Sequence, residues 1–154
     1  MIKPYIAIHS HAELVNRAGK WLKNFFHCRV VFTELVAMTA TGETPDAIGW
    51  VFNQSILVEC KANRSDYYAD RKKRARHNGY PALGSWRFYL TPPGLLKPEE
   101  ILDGWGLYEV HGRRIIFIGG KEYNNTSHPF ESCRDSEIAM LLSAISRTKA
   151  ETQK

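Results

Sequence analysis

Two short segments constrain this chain more than anything else in its sequence. Thr44-Pro45-Asp46-Ala47-Ile48 sets an acid at the head of an apolar run, and Ile56-Leu57-Val58-Glu59-Cys60-Lys61 closes the next run with an acid and a lysine two residues apart. Both runs read as β-strands. Alternation along Pro45 to Phe52 puts Asp46, Ile48, Trp50 and Phe52 on one face, and along Ile56 to Lys61 it puts Leu57, Glu59 and Lys61 on one face. Asn53-Gln54-Ser55 is a tight connection, so the two strands pair antiparallel. Asp46, at the start of one strand, then falls beside Glu59 and Lys61, at the end of the next. Carboxylates at the ends of buried strands are costly unless something compensates them.

The remaining pattern builds a fold around that corner. Ser10-His11-Ala12-Glu13 is a capping box, and Leu14, Val15, Ala18, Trp21, Leu22, Phe25 and Phe26 follow at helical spacing, which predicts a helix from about Ser10 to Asn24. Cys28 to Val36 is β-branched and aromatic and reads as a strand, with a turn at Thr39 to Glu43. Beyond Lys61, Ser65 is placed to cap a helix from Asp66 to about His77, with Gly79 as its stop. Trp86 to Leu90 reads as a strand and Lys97 to Leu102 as a short helix with proline near its start. Leu107 to Val110 and Arg114 to Ile118 form a hairpin about His111-Gly112. Asp135 to about Lys149 reads as a last helix, apolar at Ile138, Leu141, Leu142 and Ile145, and residues 147–154 as a frayed tail. The order is that of an α/β protein, and 154 residues suit one domain.

Charge placement says more than charge total. The net charge is +5. The stretch Lys61 to Arg76 holds seven basic residues (Lys61, Arg64, Arg71, Lys72, Lys73, Arg74 and Arg76) against Asp66 and Asp70, leaving 14 basic and 14 acidic residues for the rest of the chain. A neutral body with one basic stripe points to a polyanion meeting one face; the plainer alternative is a solvated basic helix. No apolar run approaches the ~20 residues of a membrane span, and Met1 to Tyr5 lacks the apolar stretch of a signal peptide, so a cytoplasmic protein with no membrane partner is expected. Cys28, Cys60 and Cys133 form no CxxC pair and support neither a zinc ribbon nor a redox motif.

A basic stripe beginning where two acids and a lysine converge suggests phosphodiester chemistry. Hydrolysis of a phosphodiester needs the developing charge neutralised and a nucleophile drawn from water, and a metal held by carboxylates serves both. Asp46 and Glu59 are the candidate ligands, with the backbone carbonyl of Cys60 as a third, for Mg²⁺ or Mn²⁺. Lys61 is placed to orient the attacking water or the phosphate. Arg64, Arg71, Lys72, Lys73 and Arg74 would neutralise the nucleic-acid backbone, and Tyr67 would stack on an unpaired base or pack on the sheet. His9 and His11 are better explained by the helix entry than as ligands.

Pro45-Asp46, twelve further residues, and Glu59-Cys60-Lys61 resemble the PD-(D/E)xK nuclease superfamily. Val31 to Leu35, Ser65 to Lys72 and Arg87-Phe88-Tyr89 resemble more closely its MmcB-like DNA-repair branch. The resemblance covers roughly Ser10 to Leu90. It implies a restriction-endonuclease-like core, a central mixed four- to five-stranded sheet flanked by helices, to which the hairpin and the C-terminal helix are additions. It further implies that Glu34 is an extra site acid, or else a structural one, and that Glu13 is the first-helix acid some relatives use, although the capping box already accounts for it. Asp70 and Lys72 fit the branch pattern.

The expected function is a Mg²⁺-dependent DNA endonuclease serving repair, recombination or phage-related DNA processing, as a monomer or a homodimer, with RNA left open as substrate. The alternative is a non-catalytic nucleic-acid-binding module on the same fold. A third reading is a structural protein with a buried acid–lysine pair. Trp105, Leu107 and Tyr108 are the candidates for a subunit interface.

Overall fold

Ser10 starts the first helix as its sequence requires. Its hydroxyl accepts from the Glu13 backbone N–H while the Glu13 carboxylate accepts from the Ser10 N–H, both at 3.2 Å. Helix α1 (His11–Asn24) then buries Leu14, Val15, Ala18, Trp21 and Leu22. This computed structural model describes residues 9–35, 41–77 and 79–152.

Six strands follow: β1 (Val30–Thr33), β2 (Ala47–Val51), β3 (Gln54–Cys60), β4 (Trp86–Thr91), β5 (Gly106–His111) and β6 (Arg114–Gly120). They form one sheet in sequence order. The pairs β1–β2, β2–β3 and β5–β6 are antiparallel, whereas β3–β4 and β4–β5 are parallel. Parallel neighbours need long crossovers. Helix α2 (Arg64–Arg71) and a 3₁₀ turn at Arg74–Arg76 supply the first, and a 3₁₀ turn at Pro98–Glu100 lies in the second. The hairpin β5–β6 is thus a full part of the sheet, which has six strands rather than four or five with an appendage.

The sheet has a core on each face. On one, α1 lies across β1 to β4, and Trp21 meets Phe26 and Tyr108 with ring centroids 4.7 Å apart. On the other, Ile48, Leu57, Tyr89 and Leu107 pack with Tyr67 of α2, Trp105 and Met140. Trp105, Leu107 and Tyr108 are therefore core and form no subunit interface. Helix α3 (Arg134–Thr152) docks through Ser136, Glu137 and Met140, leaving Ile138, Leu142 and Ile145 exposed. That reverses the face its apolar spacing suggested. The helix also continues to Thr152, past the point where fraying is expected.

Other boundaries move for local reasons. The first strand stops at Thr33 because Glu34 adopts a left-handed backbone (φ 51°); residues 36–40, into which the expected strand and turn run, lie outside the described residues. Strands β2 and β3 join through only Phe52 and Asn53, with Phe52 left-handed (φ 53°). The cap of α2 is Asn63, not Ser65: its Oδ1 accepts from the Asp66 N–H at 2.9 Å. The helix breaks after Lys72, where an extended Lys73 turns the chain so that Arg76 points inward.

Gly106 lies in tight packing at the β5–β6 pair. A Cβ there would meet the Lys121 carbonyl oxygen at 2.4 Å and the Phe88 ring at 2.8 Å. Gly106→Ala is expected to lose about 2–3 kcal/mol, the upper range for overpacking, read as a lower urea midpoint. Gly112→Ala, where a Cβ meets nothing within 4 Å but φ is 60°, should lose only about 1 kcal/mol from backbone strain.

Candidate functional site

The antiparallel register of β2 and β3 pairs Ala47 with Val58. Continued by one residue, it sets Asp46 opposite Glu59, as the strand pattern requires. Asp46 is pinned there by the chain itself: its Oδ2 accepts from the Cys60 backbone N–H at 2.8 Å. Its other oxygen faces out of the sheet end, 3.3 Å from His11 Nε2. His11 Nε2 also lies 3.7 Å from Glu34 Oε1. One ligand atom each from His11, Glu34 and Asp46 lies within 4.8 Å of the others. Glu34 reaches this point because its left-handed backbone ends β1, with its N–H donated to the Asp46 carbonyl at 3.0 Å. A non-glycine residue held in that region is strain of the kind that clusters at functional sites.

The donor set fits a divalent cation. Two carboxylates and an imidazole nitrogen, with side chains 44% exposed at His11 and 62% at Glu34, leave room for waters to complete a shell. A nitrogen donor suits Mn²⁺ and later first-row ions better than Mg²⁺, which prefers oxygen. His11, set aside in the sequence as a helix-entry residue, thus belongs to the group. Glu13 does not: its carboxylate serves the capping box and lies 3.7 Å from His9 Nδ1.

Glu59 and Lys61 face a second, buried cluster. Lys61 Nζ stands 3.4 Å from Glu59 Oε2 and 3.3 Å from Asp70 Oδ1. Arg76 holds Asp70 with two hydrogen bonds, at 2.9 and 3.0 Å, holds Glu43 at 3.0 Å and approaches Glu59 at 3.5 Å. Tyr89, opposite Glu59 in the β3–β4 register, donates its hydroxyl to Asp70 at 3.0 Å. The second oxygen of Glu43 accepts from the Leu83 N–H at 2.8 Å. Three buried acids therefore share two buried cations. Glu43 and Arg76 carry no sequence signal for this role: Glu43 sits in a turn, and Arg76 is one more cation of the stripe, while Tyr89 enters only within the stretch Arg87-Phe88-Tyr89 of the resemblance. Asp70 was singled out only by the resemblance.

Burial also sets the protonation. Burial pushes the Glu59 carboxyl up to about 7, although Arg76 and Lys61 oppose the shift. Burial would lower Lys61, but Glu59, Asp70 and Asp46 more than offset it, so the ammonium stays charged. Burial would likewise raise Asp70; the Arg76 hydrogen bonds, with Lys61 and Lys73, overturn that and hold it far below the usual carboxylate range. These shifts have opposite signs in stability. A depressed Asp70 stabilises the fold above its unfolded value near 4 and loses that as pH falls further. A raised Glu59 stabilises below its unfolded value of 4.5 and loses that as pH climbs through about 7. In EDTA, the urea midpoint is expected to fall on both sides of an optimum between these limits. Glu59→Gln should flatten the alkaline side alone; a midpoint that rises steadily towards pH 8 would contradict the assignment.

The basic stripe divides. Lys61 and Arg76 are buried and internally neutralised, and Arg64 pairs with Glu100 over the Tyr68 ring. Arg71, Lys72, Lys73 and Arg74 remain as an exposed ridge beside the site, Lys73 reaching back to Asp70 at 3.3 Å. Tyr67 is fully buried, donates its hydroxyl to the Glu100 carbonyl and packs edge-on against Tyr89. It cannot stack on a base, which corrects its place among the nucleic-acid contacts. A cavity of about 510 Å³ opens onto Glu59 between Glu43, Lys73, Arg74 and Tyr80.

No protein-family profile matches this chain, and no curated protein sequence does. The fold is similar to that of a solved structure. A protein of unknown function from Silicibacter pomeroyi superposes with a TM-score of 0.60 at 18% identity, over 95% of this chain and 93% of that one. At that identity the likeness concerns architecture alone: an α/β fold with an open, mixed six-stranded sheet. Among the described residues no helix is long and apolar enough to cross a membrane.

Proposed function

We propose that this chain is a divalent-metal-dependent nuclease acting on DNA, on a PD-(D/E)xK-type core akin to the MmcB-like branch. The observation that carries the proposal is the juxtaposition at one sheet end: Asp46 groups with Glu34 and His11 within 4.8 Å while standing opposite Glu59, whose carboxylate lies 3.4 Å from Lys61 Nζ. Asp46, Glu34 and His11 would hold the ion, with Glu59 and the Cys60 carbonyl as further donors. The ion would supply charge neutralisation at the scissile phosphate and acidify a water. Lys61, kept charged by its acid neighbours, would orient that water or a phosphate oxygen. The ridge Arg71–Arg74 would seat the strand by its phosphates and carries no base-reading geometry.

A second reading has its own observation. Glu59 and Lys61 are both buried and engaged by Arg76 and Asp70, an arrangement equally suited to a module that binds nucleic acid without cutting it. The deciding experiment is a cleavage assay on duplex, nicked, flapped and branched DNA with Mn²⁺ or Mg²⁺. Metal-dependent cutting abolished by Asp46→Asn supports the nuclease, with Mn²⁺ the better ion. Binding indifferent to metal and to Asp46→Asn, with no cutting, supports the module.

A further inference from the structure

Arg87 is a buried cation that forms no ion pair among the described residues. Only 7% of the residue is exposed. It projects from β4 on the face it shares with Tyr89, opposite Leu57. Its Nε donates to the Gly84 carbonyl at 3.0 Å, and its guanidinium lies over the Phe130 ring at 3.9 Å. No carboxylate comes within ion-pair distance of it among the described residues; Glu43 and Glu137 act on it only from farther away. Every other buried cation described, Lys61 and Arg76, has at least two acids. An unpaired buried charge is among the costliest features a fold can carry, and its desolvation is evident in a guanidinium drawn down to about 10.

What Arg87 lines is a cavity of about 630 Å³, walled by Tyr80, Pro81, Leu102, Trp105 and Phe130, with Arg76 as a second cation and Asp103 and Glu131 as acids on its lining. That volume suits a small ligand with one polar end. The cavity shares Ala75, Arg76, Tyr80 and Pro81 with the one that opens onto Glu59, so the two are neighbouring lobes on either side of these residues. Tyr80 is half-exposed and offers a ring to stack against, while the faces of Trp105 are taken by Tyr89 and Arg76.

We propose that Arg87 anchors a binding site for a phosphate group borne by a nucleotide, the guanidinium taking the phosphate oxygens and Tyr80 the base. Guanidinium geometry matches two phosphate oxygens at once, and the uncompensated charge is what such a ligand would neutralise. The source is either a free nucleotide or the terminal nucleotide of a strand lying in the neighbouring lobe. The second source rests on the nuclease reading; the site itself does not.

The test runs without metal, in EDTA, so that it is independent of cleavage. Wild-type protein is titrated with inorganic phosphate, with deoxyadenosine 5′-monophosphate, and with a short single-stranded oligonucleotide bearing a 5′-phosphate or a 5′-hydroxyl. The readouts are melting temperature and the NMR signal of Arg87 Nε. Phosphate and nucleotide at millimolar concentration should raise the melting temperature and move the Nε signal. The nucleotide should bind about tenfold tighter than phosphate, an advantage lost in Tyr80→Ala. A phosphorylated oligonucleotide that outbinds both the free nucleotide and its 5′-hydroxyl counterpart identifies the strand end; equal or weaker binding identifies the free nucleotide. Arg87→Met should raise the melting temperature of the ligand-free protein, because a buried charge is replaced by an apolar chain, and erase the response to phosphate. No shift of the Nε signal with any of these probes, or an unchanged phosphate response in Arg87→Met, overturns the proposal. The Nε measurement needs no variant to fold. Phosphate binding at Arg87 alongside absent cleavage would count against the nuclease alone.

Discussion

Methionine in place of Arg76 is expected to cost about 3–5 kcal/mol of folding stability, the range for removing one partner from a buried ionic cluster. Arg76 donates to Asp70 and Glu43 and approaches Glu59, and its side chain is almost wholly inaccessible to solvent. Without it, three buried carboxyls are left to Lys61 and to the half-exposed Lys73. The acids would respond by taking up protons, since a protonated carboxyl avoids most of the desolvation penalty. The loss should therefore be greatest near neutral pH and shrink as the solution is acidified, opposite in sign to the acid limb that a depressed Asp70 gives the wild type. Urea denaturation from pH 4 to 8 reads both the size and the slope. A loss under about 1 kcal/mol would place Arg76 with ordinary surface ion pairs, and a loss that grew towards acid pH would exclude proton uptake by the stranded acids. Arg76→Lys, which keeps charge and loses the paired donors to Asp70, should fall between the two.

The sequence made the corner of the sheet legible because its signals are local. A capping box, two strands with a tight connection, and an acid at each strand end need only short-range geometry to bring Asp46 opposite Glu59. The partners of those acids were not legible, because they come from elsewhere. Glu43 precedes the strand in a turn, Arg76 follows a helix that ends at Arg71 rather than near His77, and Tyr89 is brought alongside Glu59 by parallel pairing across a 25-residue crossover. The same loss of range left the face of one helix open and hid that of another. Tyr67 reads either as a base-stacking or as a sheet-packing residue, and the sheet buries it, whereas the apolar spacing of α3 points at residues that stay exposed because docking uses Ser136, Glu137 and Met140. Charge counting failed in a more instructive way. A run of seven basic residues reads as one stripe, yet burial takes Lys61 and Arg76 into the protein's own electrostatics, Glu100 pairs with Arg64, and four cations in a row, Arg71–Arg74, are left for an external polyanion. The surviving ridge still begins next to the acids, so the polyanion reading is narrowed rather than removed.

Under the nuclease reading, Asp46→Asn and Lys61→Met are each expected to lower metal-dependent cleavage by about 10²-fold or more, the scale for removing a preorganised charge from a reacting centre. The two should differ in everything else. Asp46→Asn retains an oxygen for the Cys60 N–H, so the fold should persist, while the rise in melting temperature that Mn²⁺ gives the wild type disappears with the ligand. Lys61→Met leaves Asp46, Glu34 and His11 untouched, so Mn²⁺ should still stabilise it. Its stability should fall for a separate reason, the loss of a cation shared by Glu59 and Asp70. Neither change alters the exposed ridge, so DNA affinity and its salt dependence should be close to wild type. Replacing Arg71, Lys72, Lys73 and Arg74 together with glutamine should do the reverse, lowering the slope of log affinity against log salt by about 3–4 and sparing the Mn²⁺ response. Cleavage that survives Asp46→Asn would detach the reaction from this corner of the sheet. An Asp46→Asn protein still stabilised by Mn²⁺ would detach the metal from it, and either result would leave the binding module as the better account of why a strained Glu34, a pinned Asp46 and His11 meet at the end of β2.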